Sequence, residues 1–75
     1  MAGQVVTTDE LKDRIEASIP GAQAEVIGDG RHFEARVSAP EFAGLSRIEQ
    51  HRRVYAVFGA EVGDRIHALS LKTGA

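Results

Sequence analysis

Seventy-five residues make one domain and leave no room for a second, so any site must rest on a single small core. At 43% hydrophobic and 27% charged, the composition is that of an ordinary globular protein. The absence of cysteine excludes a disulfide framework, a thiol nucleophile and any thiolate metal site built by this chain alone, while a net charge of −2 argues against a generic nucleic-acid binder.

The charge is unevenly spread. Residues 1–30 carry two basic and six acidic side chains, whereas residues 31–75 carry seven basic and five acidic ones. A modest basic face is therefore expected in the second half, and a strongly basic domain is not. The opening MAGQVV has no signal-peptide character and is expected to form a flexible arm over residues 1–6. No stretch approaches the roughly 20 apolar residues of a membrane span, and the expected location is the cytoplasm.

In TTDELKDRIEASIPG, Thr7 and Glu10 have the spacing of a capping box, and Asp9 and Glu10 suit the positive end of a helix. Leu11, Ile15 and Ile19 form an apolar stripe, and Pro20-Gly21 stops the helix. AQAEVIGDGRHFEARVSAP then predicts a hairpin, with Asp29 and Gly30 as the two central turn residues at positive φ. Phe33, Ala35 and Val37 alternate with His32, Glu34, Arg36 and Ser38, so one sheet face is buried and the other open; Pro40 ends the pairing.

Phe42 and Leu45 are expected to plug the edge of the core. A second helix is predicted from Ser46 to Phe58, capped by Ser46 and Glu49 and stopped by Gly59. Its buried face is expected to hold Ile48, Tyr55 and Phe58, with Val54 beside them. AEVGD suits a short helical turn, and RIHALSLK a third strand. The predicted class is α+β, a two-layer sandwich in α-β-β-α-(α)-β order with a three-stranded sheet.

Candidate chemistry is sparse. GDGRHF lacks the glycines and the lysine of a nucleotide-binding loop. No serine lies in a nucleophile-elbow pattern, and a chain this short offers little room for a water-excluding pocket, so no catalytic residue is assigned. His32, His51 and His67 do not have the spacing of a self-contained zinc site. His51 fits partial burial or a hydrogen bond to a neighbour on its helix. His32 and His67 reach one edge of the sheet if their strands are neighbours. Arg47, Arg52 and Arg53 on the second helix, with Arg65 and Lys72 about the last strand, are the candidates for contacting phosphate or a partner.

GDGRHF, FAGLSR at 42–47, VY at 54–55 and RIHALSLKT at 65–73 occur in an order and spacing that resemble the BolA-like proteins. The resemblance runs from about Ala24 to Thr73, and its last segment is the most specific. It implies a fold similar to the class II K-homology domain, although Gly59 and Gly63 do not have the spacing of a nucleic-acid-clamping GXXG loop. It also implies an adaptor or regulator, not an enzyme, that pairs with a monothiol glutaredoxin and shares a [2Fe–2S] cluster across the heterodimer. His67 corresponds to the family's cluster ligand, and His32 is the nearest candidate for a second one. The cysteine count agrees, since thiolates would come from the partner and its glutathione, and the isolated chain would hold no cluster. The alternative implied role is a DNA-binding regulator of stress response and cell shape. Alone, the chain is expected to be a monomer or weak homodimer.

Overall fold

A computed structural model describes residues 6–29, 31–63, 66 and 68–75. Helix α1 spans Thr8–Ser18, strand β1 Gln23–Gly28, strand β2 His32–Ser38, helix α2 Arg47–Phe58 and strand β3 Ala68–Gly74. Two 3-10 turns, Pro40–Phe42 and Gly59–Glu61, flank α2. This is the predicted α+β architecture and element order.

The sheet has the order β1-β2-β3. Strands β1 and β2 pair antiparallel, from Gln23 opposite Ser38 to Gly28 opposite Phe33. Strands β2 and β3 pair in parallel, from His32 opposite Ala68 to Ser38 opposite Gly74. A parallel pairing needs a long crossover, and α2 lies within it.

Burial follows the alternation of β2: Phe33, Ala35 and Val37 enter the core with Leu11, Ile15, Ile19, Phe42, Val54, Phe58, Ile66 and Leu69. Leu45 packs half-buried against them. Val6, assigned to the arm from sequence, is 3% exposed and belongs to this core.

Of the two expected capping boxes, the one on α2 forms in full, and for α1 the described bonds include only the Thr7 half. Thr7 Oγ1 accepts from the Glu10 N–H at 3.1 Å. Ser46 and Glu49 make both halves of a capping box, and Gly59 closes α2 at φ 57°. Two further expectations change. Asp29 does not take positive φ. It is instead the first residue of the turn: its N–H donates to the His32 carbonyl at 3.3 Å, and its carboxylate caps the turn from within. The buried face of α2 is also narrower than predicted. Val54 and Phe58 are buried, but Ile48 is 65% and Tyr55 36% exposed. Val54 and Phe58, four residues apart, fill the space against the sheet, and the Tyr55 hydroxyl instead donates to the Leu69 carbonyl at 2.8 Å.

Candidate functional site

The hairpin turn positions His32. Asp29 Oδ1 accepts from the main-chain N–H groups of Arg31 and His32, both at 2.9 Å. Those two bonds, His32's first, hold the Asp29 carboxyl below the usual carboxylate range. The His32 side chain is 73% exposed, with Nδ1 3.9 Å from Asp29 Oδ2, too far for a hydrogen bond. On the outer face of β2 it is followed by Glu34 and Arg36.

Asp64, Arg65 and His67 lie outside the described residues, but both chain neighbours of His67 are fixed. Ile66 is buried, donates its N–H to the Glu61 carbonyl at 2.9 Å and accepts at its own carbonyl from Gly63. Ala68 opens β3 directly opposite His32, and its N–H donates to the Arg31 carbonyl at 3.1 Å. Strands β2 and β3 are thus the neighbours that a shared edge required.

Among the described residues, no three His, Asp or Glu side chains gather closely enough to hold a metal ion. With no cysteine in the chain, the donor set fits a group only part of whose ligands come from here. An exposed neutral imidazole is a competent donor of that kind.

The basic residues of α2 divide among different surroundings. Arg53 is tied down, its Nε 3.1 Å from Glu41 Oε1 and its Nη2 donating to the Ser18 carbonyl at 3.0 Å. Arg52 is exposed on the far side from the core. Arg47 joins His51, Leu71, Lys72 and Thr73 around an open groove of about 370 Å³ between α2 and β3. Lys72 Nζ lies 3.9 Å from Glu34, a long and largely exposed contact. Spacing along the helix gave no sign of this division, because turning Arg53 inward depends on Glu41 and Ser18, both remote in sequence. His51 is half-buried, and its Nε2 is closed to solvent without a hydrogen-bond partner.

Residues 8–75 match the family model described as BolA-like protein. A solved BolA homologue from Coxiella burnetii is 43% identical, with a TM-score of 0.81 over 91% of this chain and 88% of its own. BolA-like protein 1 of Bos taurus is 35% identical over 92% of this chain and 49% of its own length. A Haemophilus influenzae relative named DNA-binding transcriptional regulator BolA is 30% identical over 59% of this chain and 43% of its own. The chain thus spans half or less of several curated relatives it matches. With the element order, the sheet and nearly the whole chain in agreement, the protein belongs to the BolA-like family.

Proposed function

We propose that this chain is an adaptor, not a catalyst, that binds a monothiol glutaredoxin and contributes His67 to a shared [2Fe–2S] cluster, with His32 as the second donor. One observation carries the reading: the parallel register sets Ala68, covalently next to His67, opposite His32. The starts of β2 and β3 thereby fall at one end of the sheet, with His32 opening the first and His67 next in sequence before the second. The cluster supplies redox-active iron whose remaining ligands are thiolates of the partner and its glutathione. This chain's part is to offer imidazole nitrogens, which must be unprotonated to bind, so acid should release the shared cluster.

The test mixes the protein with a monothiol glutaredoxin carrying its glutathione-ligated cluster and records visible absorption and circular dichroism. A new spectrum that His67→Ala abolishes and His32→Ala alters supports the reading. A spectrum unchanged by the protein overturns it.

The second reading is a DNA-binding regulator, favoured by the name of the Haemophilus relative and by Arg47, which has no acidic partner among the described residues. Phosphate binding would weaken steeply with added salt, and a ligated cluster interface far less.

A further inference from the structure

Each edge of the sheet faces a different environment. On β1, the edge amide of Ala24 is already taken, donating to Glu16 Oε2 at 3.0 Å. The β3 edge can be read from its ladder. The Ala68 N–H donates to Arg31 and the Gly74 carbonyl accepts from Ala39, so the even-numbered residues turn their main-chain groups toward β2. Leu69, Leu71 and Thr73 therefore turn theirs to the free edge.

Among the described residues, one of these main-chain groups has a partner, the Leu69 carbonyl, which accepts from the Tyr55 hydroxyl; the Thr73 side chain donates to Gln50 Oε1 at 2.7 Å and leaves its main chain to the edge. Leu71 and Thr73 border the groove shared with Arg47 and His51 of α2. Their edge amides and carbonyls alternate donor and acceptor, which matches an extended backbone better than a lone anion. His51 lines the groove with its ring, while its Nε2 is turned inward, closed to solvent.

Charge selects the occupant. Arg47 and Lys72 are the ionised residues among those described around the groove, and none of these is acidic. A second copy presenting the same edge would set cation against cation. We propose that the groove between α2 and the Leu71–Thr73 edge of β3 takes an extended acidic peptide segment of a partner protein, added to the sheet as a fourth strand. Main-chain bonds to Leu71 and Thr73 would hold it, Arg47 and Lys72 would pair with its carboxylates, and the exposed, flexible cationic side chains can swing aside to admit it. The proposal does not rest on the cluster reading and needs no metal for its test.

The probe is a capped pentapeptide of alternating glutamate and valine, titrated into the 15N-labelled 75-residue chain. Expected are saturating shifts centred on the Leu71 and Thr73 amides, with their hydrogen exchange slowed at least about tenfold as the edge pairs. Arg47→Glu should weaken binding about tenfold or more, with the amide pattern of the remaining fold unchanged. A peptide N-methylated at alternate amides should fail to protect the edge. Equal binding of a lysine-for-glutamate peptide, or shifts confined to β1 or the outer sheet face, would overturn the proposal. So would the same edge responding to protein concentration alone, which would identify a second copy, or only to a short DNA duplex.

Discussion

Arg14 and Glu61 stand forty-seven positions apart and meet through two parallel contacts, Nη1 to Oε1 at 2.9 Å and Nη2 to Oε2 at 2.7 Å. Nη2 also donates to the Val57 carbonyl at 3.2 Å, and the guanidinium lies 4.9 Å from the centre of the Phe58 ring. This clamp ties α1 to the turn whose Glu61 carbonyl receives the Ile66 N–H. The pair is about one-third exposed, so solvent screening limits its worth. Arg14→Ala is expected to cost about 1–2 kcal/mol in urea unfolding, with Tm falling by roughly 4–8 °C per kcal/mol. Arg14→Met, which keeps the stem over Phe58, should recover part of the loss.

The two sides of α2 should respond unequally. Val54→Ala removes fully buried methyls and is expected to cost about 2–3 kcal/mol, whereas Ile48→Gln should stay within about 0.5 kcal/mol. Equal losses in denaturant titration would place the core stripe elsewhere on the helix.

Gly28 is held by proximity. A Cβ there would meet the His32 carbonyl oxygen at 2.5 Å and Phe33 Cδ1 at 2.6 Å. Gly28→Ala should destabilise by about 1–3 kcal/mol and shift the amide resonances of His32 and Phe33.

Acid should loosen the hairpin turn. Asp29 titrates below its ordinary value when folded, because its carboxylate accepts main-chain N–H groups, from His32 above all. A depressed folded value contributes stability that is fully present above the unfolded pKa and lost as pH falls through the folded one. Stability should therefore decline below the ordinary carboxylate range. Asp29→Asn, which can still accept at Oδ1, should flatten that part of the decline. An unchanged pH profile in unfolding experiments would count against it.

Much of this architecture was legible in the sequence because it rests on local chemistry. Thr7, Ser46, Glu49 and Gly59 mark helix ends by their own side chains or freedom of φ, and the alternation in β2 announces its buried face. What escaped depends on distant partners. Ile48 and Tyr55 have helical spacing compatible with burial, and it is the way α2 is seated on the core that buries Val54 and Phe58 instead. Alternating burial in β3 is the same for parallel and antiparallel neighbours, so the direction of pairing was not readable. The charge run around Arg52 and Arg53 likewise gave no hint that one cation is bound within the fold. The pairing of Ala68 with His32 bears on the candidate cluster site, although His67 lies outside the described residues.

The same pairing has a consequence for the order in which the molecule comes together. The hairpin closes over a few residues and can form within microseconds, whereas Ala68 stands thirty-six positions after His32, and bringing them side by side closes a far longer loop. A chain caught halfway can already display His32 but lacks the adjoining strand. A partner that needs both strand starts together would pass over such intermediates and engage only molecules whose folding has run to its end.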